Sequence, residues 1–400
     1  SEYLDTDGDG TLDSTNLSTF SANELSQLID ELNLTGKLDS PLMDFISKDH
    51  LDRSSGGDSV GGVAQTRYKV LIIPRKRLPA ISMNSSLADL NQGVKASTDA
   101  VLIVVKNKGD FELTRRFKSI NAIAATVTLE GLRKLTSDSS VVSVGLDSGG
   151  RGGLNQARPQ VNIDYVRQTY GYTGNGIEVA VLDSGIDTDH VDLQSVILSQ
   201  KCFADDCPNG PNSAEDDHGH GTHVSGIIAS QGNFAPKGGS PGVKIHAVKV
   251  LDSNNTFSSS SIVLSGLDHV INELPNVDLV NMSVGTDDRF SYDCDDTYSY
   301  TQALSSAINT LRERGVLSFV SSGNDAANDH ISAPACVANA IAVGAVYDTN
   351  PEPYYSDVCT ELNPTADTLT CFSNSSVSVD IVAPGSPINS TRRGGGATIK

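Results

Sequence analysis

The chain has 400 residues, enough at roughly 150 per domain for two or three domains with a large buried core. Hydrophobic residues make up 38% and charged residues 20%, which excludes a coiled coil or a long disordered chain. Asp and Glu outnumber Lys and Arg by 49 to 29, and the resulting charge of −20 repels nucleic-acid phosphates and anionic lipid heads, so neither nucleic acid nor membrane is an expected partner.

The chain opens at Ser1 with neither Met nor an apolar leader, and the expectation is that a leader was removed or lies outside the sequence. The run Asp5-Thr6-Asp7-Gly8-Asp9-Gly10-Thr11-Leu12-Asp13 alternates carboxylates around a turn-forming Gly, the pattern of a calcium loop with Asp5, Asp7, Asp9 and Asp13 as candidate ligands. Its twelfth position is Asn16 rather than a bidentate Glu, which removes an anionic ligand. Ser21 and Glu24 form a capping box ahead of Leu25, Leu28, Ile29 and Leu32, so a small helical module over 1–52 is predicted to follow the loop. Residues 53–66, with Arg53-Ser-Ser-Gly-Gly-Asp-Ser-Val-Gly-Gly62, read as a linker.

From 67 to 147 an α+β domain is predicted, with strands at Tyr68–Ile73, Val101–Val105, Ile123–Val127 and Val141–Val144 and a short amphipathic helix at Leu129–Leu135. The Gly-rich stretch in 148–160 reads as a second flexible joint, open to proteolysis. Over 161–400 apolar strands alternate with helices: strand Ile177–Leu182, helix Thr222–Ala229, strand Lys244–Val250, helix Ser260–Leu274 and strand Val277–Met282. Helix Gln302–Arg314, strand Val316–Val320 and strand Ala340–Val346 follow. Apolar strands joined by crossover helices predict an α/β domain, a parallel sheet with helices on both faces and function at the strands' carboxyl ends. No run comes near the roughly 18 apolar residues of a spanning helix.

The strand ends carry the chemistry. Asp183 directly follows Ala180-Val181-Leu182, where a buried carboxylate needs a partner. His220, in Asp217-His218-Gly219-His220-Gly221-Thr222-His223, stands at the entrance of an apolar helix. A buried Asp accepting from an imidazole N–H fixes its tautomer and stabilises the imidazolium that forms when a hydroxyl nucleophile is deprotonated. Val181-Leu182-Asp183-Ser184-Gly185-Ile186 and His220-Gly221-Thr222-His223-Val224-Ser225-Gly226 resemble the Asp and His blocks of the subtilisin-like serine proteases. Asn281-Met282-Ser283-Val284-Gly285 resembles their substrate strand, and Ser321-Ser322-Gly323-Asn324 their oxyanion block.

That resemblance implies a secreted endopeptidase acting on polypeptides, with Asp183 and His220 in a triad and Asn324 donating to the oxyanion. Ser283, Val284, Gly285, Ser321, Ser322 and Gly323 would flank an extended substrate. Of the neighbouring imidazoles His218, His220 and His223, the family pattern makes His220 the base. The family's Gly-Thr-Ser-Met-Ala nucleophile block does not occur in the 400 residues, although Ala383-Pro384-Gly385 resembles the segment upstream of it, so the chain is expected to stop short of its Ser and to be inactive as written. Ser59 and Ser240 sit in Gly-x-Ser-x-Gly runs but lack the strand before and helix after that a nucleophile elbow requires.

Residues 67–147, notably Phe117–Val127 and Val141–Val144, resemble the family's ferredoxin-like I9 propeptide, which implies an intramolecular inhibitor cleaved between Leu146 and Gln160. Asp192 resembles one of the family's structural calcium ligands. Six Cys, an even number with no C-x-x-C pair, favour disulfides and an oxidising, extracellular setting. Spacing suggests Cys202–Cys207 and Cys359–Cys371 as local bridges and Cys294–Cys336 as a longer one, out of 15 possible connectivities. Other readings are a pseudoprotease that only holds peptides and a calcium-dependent docking protein.

Overall fold

A computed structural model describes residues 32, 35–39, 42–43, 46, 67–76, 87–104, 110–147, 150–152, 160–348 and 353–399. The calcium-loop residues Asp5, Asp7, Asp9 and Asp13, the Ser21–Glu24 capping box and the linker around Ser59 lie outside the described residues. The chain divides into two compact units, Ser1–Asp147 with Tyr298–Tyr300, and Ser148–Thr297 with Thr301–Lys400.

The first unit runs β1 (Tyr68–Pro74), α1 (Leu87–Val104), β2 (Phe111–Arg116), β3 (Ile123–Val127), α2 (Leu129–Ser137) and β4 (Val141–Leu146). The sheet order β2-β3-β1-β4, antiparallel throughout, is a split βαβ arrangement. Val70 and Ile72 of β1 and Ile123 and Ala125 of β3 pack with Leu129, Leu132 and Leu135 of α2, and Leu32, Leu42 and Ile46 join the same buried cluster. Thr128 caps α2 by accepting from Gly131 N at 3.2 Å.

One expected strand is corrected. Val101–Val104 is the last turn of the 18-residue α1, with Val94 and Val101 buried at i, i+7 and Ile103 63% exposed. A short apolar run does not distinguish a buried strand from a helix face; the helical length upstream decides it. The strand that does fill this edge is β2, whose Phe-Glu-Leu-Thr-Arg-Arg sequence carries too little apolar signal to have been predicted.

The second unit comprises β5 (Gly150–Gly152), α3 (Ile163–Tyr170), β6 (Glu178–Asp183), β7 (Ile197–Cys202), α4 (His220–Ala229), β8 (Lys244–Lys249), β9 (Thr256–Phe257), α5 (Ser260–Glu273), β10 (Leu279–Met282) and β11 (Val284–Thr286). It continues with β12 (Arg289–Phe290), α6 (Ser299–Glu313, counted here from Thr301), β13 (Leu317–Ser321), β14 (Ile331–Ser332), β15 (Ile341–Tyr347), β16 (Tyr354–Tyr355), β17 (Thr360–Glu361), β18 (Ile381–Ser386), β19 (Asn389–Thr391) and β20 (Ala397–Ile399). Seven strands form one parallel sheet in the order β18-β15-β13-β10-β6-β8-β7. Its interior strands are apolar runs because both faces are covered.

Register decides what this sheet can do. Met282 of β10 stands beside Leu182 of β6 and Val320 of β13, so the residues that follow, Asp183, Ser283 and Ser321, emerge at one level on three adjacent strands. With strands about 4.8 Å apart, Asp183 and Ser321 are separated by roughly 10 Å. All three expected disulfides are formed: Cys202–Cys207, Cys294–Cys336 and Cys359–Cys371.

The glycine-rich stretch read as a flexible joint departs from that expectation over Gly150–Gly152. There it is β5, paired antiparallel with β11 on one side and β9 on the other. The segment offers no side-chain pattern to read, and its pairing rests on backbone hydrogen bonds, to which glycine is no obstacle.

Candidate active site

Asp183 is fully buried at the end of β6, and His220, 5% exposed, is the first residue of α4. His220 Nδ1 donates to Asp183 Oδ1 at 2.6 Å, and the same oxygen accepts from Ser184 N at 2.7 Å. The charged acceptor makes this a strong bond and fixes the proton on Nδ1. Nε2 of His220 is buried and has no hydrogen-bond partner among the described residues, so its lone pair is free to take a proton. His218 lies alongside, its ring centroid 6.3 Å from that of His220, but it is the His220 ring that meets the carboxylate.

Glycine shapes the approach of the two loops. A Cβ on Gly221 would stand 2.1 Å from Gly185 O, and one on Gly185, whose φ is +115°, would stand 2.4 Å from Ala214 O. Only backbone without side chains allows α4 to start this close to the turn after β6.

Across the sheet, the oxyanion block leaves β13. Asn324 is exposed three residues beyond Ser321. The turn that carries it is held by the buried Asn374, whose Oδ1 accepts from Asp325 N at 2.9 Å and Ala327 N at 3.1 Å, while its own N donates to Gly323 O at 2.9 Å. Ser322 Oγ donates to Asn374 O at 2.8 Å. Ser283 and Val284 are buried, and Val284–Thr286 present their strand edge to β5. The structure therefore brings Asp183 and His220 into contact and sets Ser283 and Ser321 at the ends of β10 and β13, the next two strands of the sheet.

Residues 174–398 match the profile of the subtilase family, Peptidase S8. The chain is a subtilase. Subtilisin amylosacchariticus of Bacillus subtilis subsp. amylosacchariticus is 31% identical over 303 residues, covering 73% of this chain and 68% of the relative. The M-protease of Shouchella clausii strain KSM-K16 is 31% identical over 324 residues, covering 80% and 74%. A crystal structure of a cold adapted subtilisin-like serine proteinase aligns at 25% identity with a TM-score of 0.43, over 57% of this chain and 70% of that one. Membership makes this a serine-protease scaffold of subtilisin type.

The family resemblance implies structural calcium, and of its candidate ligands Asp192 lies among the described residues. Its carboxylate is buried and faces donors: Oδ1 accepts from Asn233 N, and Oδ2 from Phe234 N and Ala235 N, both at 2.9 Å. Burial pushes this carboxyl up, but the three backbone N–H bonds outweigh it and hold the group below the usual carboxylate range. Oxygens engaged this way anchor the 233–235 loop and do not fit a cation. Among the described residues no group of three or more His, Cys, Asp or Glu side chains could hold a metal ion, and no helix among them is long and apolar enough to cross a membrane.

Several site residues carried no legible signal in the sequence. Lys249, at the end of β8, is wholly buried, and its Nζ donates to Ser184 O at 3.0 Å, Leu251 O at 2.8 Å and Asp217 Oδ1 at 2.7 Å. Its spacing gives nothing away, because two of its three partners are backbone carbonyls. Ser240, one of the two elbow-like serines, lies in the loop between α4 and β8 with no strand before it.

Proposed function

We propose that this subtilase is the zymogen of a secreted serine endopeptidase, hydrolysing polypeptides through Asp183, His220 and a serine outside the 400 residues. The observation that carries the reading is the 2.6 Å Asp183–His220 bond with Nε2 buried and without a hydrogen-bond partner among the described residues. In the reaction, Nε2 takes the proton of the attacking serine hydroxyl while its oxygen bonds to the scissile carbonyl carbon. Asp183 remains ionised and stabilises the imidazolium, which then protonates the leaving amine. Asn324 donates to the oxyanion of the tetrahedral intermediate; loss of the equivalent donor costs about 2.7–4 kcal/mol in subtilisin. The resulting acyl-enzyme is cleared by water, with His220 acting first as base and then as acid.

Residues 67–147 act as the intramolecular inhibitor, supported by the split βαβ fold and by β5 lying between β9 and β11, where an extended substrate would pair. Ser283–Gly285 and Ser321–Gly323 line that cleft. Structural calcium belongs to the Asp5–Asp13 loop, and three disulfides suit an extracellular setting.

A fluorophosphonate probe tests the proposal on two chains, the 400 residues alone and the same residues extended through a Gly-Thr-Ser-Met-Ala helix. Labelling is expected only on the added Ser and is expected to vanish with His220→Ala. Labelling of any serine within the 400 residues, or His220-independent labelling of the added one, overturns it.

A further inference from the structure

The first turn of α4 has a capping problem. Gly219, at its N-cap, has φ +102° and no side chain to offer, so the leading N–H groups need an acceptor from elsewhere. Asp216 supplies it. This carboxylate is 2% exposed, with Oδ1 accepting from Gly219 N at 2.8 Å, His218 N at 3.0 Å and Ser184 Oγ at 2.9 Å. Its Oδ2 accepts from Thr222 N at 2.9 Å and Thr222 Oγ1 at 2.5 Å.

Both hydroxyls in this set work in two directions. Ser184 Oγ donates to Asp216 and accepts from Gly221 N at 2.9 Å; Thr222 Oγ1 donates to Asp216 and accepts from Asp187 N at 2.9 Å. Ser184 and Asp187 belong to the loop that follows Asp183, while Gly219, Gly221 and Thr222 surround His220. Asp216 is therefore the shared acceptor through which the loop carrying the carboxylate and the helix carrying the imidazole are joined, although it touches neither catalytic side chain.

We propose that Asp216 is a positioning residue whose buried carboxylate locks the loop after β6 to the first turn of α4, and thereby sets the Asp183–His220 hydrogen bond and the Nδ1–H tautomer of His220. The proposal rests on the reading of Asp183 and His220 as the catalytic pair. Two physical features support it. A negative charge at a helix N-terminus is favoured by the helix dipole. Burial alone pushes the Asp216 carboxyl up, yet the donors Thr222, Gly219 and Ser184 outweigh it and hold the group below the usual carboxylate range, so it stays an acceptor on both oxygens. An Asn in its place turns one end into a donor facing donors.

The experiment needs no nucleophile. In the full chain with 15N-labelled histidine, His220 is expected to show a single Nδ1–H tautomer and a strongly downfield Nδ1 proton, both abolished by Asp183→Asn. In Asp216→Asn the downfield proton is expected to disappear and both tautomers to become populated, with the His246 signals and far-UV circular dichroism unchanged. Thr222→Val, which keeps the shape but removes the hydroxyl bridge, is expected to weaken the proton signal in a chain that still folds, and Thr222→Ser to restore it. A purely structural role lowers the unfolding midpoint but leaves the tautomer intact. If Thr222→Val, and Asp216→Asn where it folds, both retain the wild-type tautomer and downfield proton, the proposal is overturned. If Asp183→Asn itself leaves the His220 signals unchanged, the catalytic-pair reading fails first and takes the proposal with it.

Discussion

Removing the three disulfides one at a time, each as a double Cys→Ala variant, should rank them by the chain each one closes. Cys294–Cys336 spans a sequence separation of 42, Cys359–Cys371 of 12 and Cys202–Cys207 of 5. In the chain-entropy relation these separations correspond to about 4, 3 and 2 kcal/mol at 25 °C. Cys294 and Cys336 are wholly buried, and Cys294 N donates to Cys336 O at 2.9 Å, so the backbone contact that aligns the two segments does not depend on the sulfurs. The closed loop contains α6, β13 and the turn bearing Asn324, which makes this bridge the one that restrains the β13 side of the sheet. Urea unfolding of the oxidised parent and the three variants, followed by tyrosine fluorescence, provides the ranking as free energies taken from midpoint and slope together, because opening a crosslink expands the unfolded chain and changes the slope. If losing Cys202–Cys207 costs as much as losing Cys294–Cys336, the loop-closure argument is refuted.

Gly323→Ala places a Cβ 2.3 Å from Asn374 Nδ2 and 2.8 Å from Ser332 Oγ at a φ of +108°; backbone strain alone costs about 1–3 kcal/mol, and the urea midpoint should fall accordingly. Lys249→Met leaves the Asp217 carboxylate and the Ser184 and Leu251 carbonyls without their cation, a loss of about 3–5 kcal/mol by analogy with broken buried pairs; a loss below about 1 kcal/mol in the same assay contradicts the contact geometry. For pH, Asp192 and Asp216 both titrate below the usual carboxylate range in the folded chain. Their contribution is present above the unfolded value of about 3.9 and is lost as pH falls through the folded values. Asp192→Asn should therefore lower stability near neutrality and flatten its decline on acidification, read as urea midpoints at several pH values.

The parts of the fold that were legible in the sequence are those where burial imposes a pattern. Glu178–Asp183, Lys244–Lys249 and Ile341–Tyr347 read as strands because both sheet faces are covered. The sheet's two edge strands did not. Ile197–Cys202 is largely half-buried and shows no apolar run, and in Ile381–Ser386 the short run Ile381–Ala383 begins exposed and is cut off by Pro384 and Gly385. At the site, Asp183 and His220 were legible because each marks an element boundary within a recognisable block. Asp216, Lys249 and Asn374 were not, since most of their partners are backbone N–H and C=O groups brought near only by the fold, and backbone leaves no residue-type signature.

That difference reflects how the site is built. Asp183 and His220 lie 37 residues apart and must be held to within tenths of an ångström. Neither β6 nor α4 can do this alone, because Asp183 is the last residue of β6 and His220 the first of α4. Asp216 closes the gap with neutral donors only, and Lys249 closes it a second time from the neighbouring strand, its charge matched by Asp217 two residues before Gly219. Both devices bind the stretch leading into α4 and the loop led by Ser184, from different sides. Two constraints sharing the same pair of segments remove more relative motion than either does separately, so Lys249→Met combined with Thr222→Val should loosen the His220 signals by more than the two single changes together.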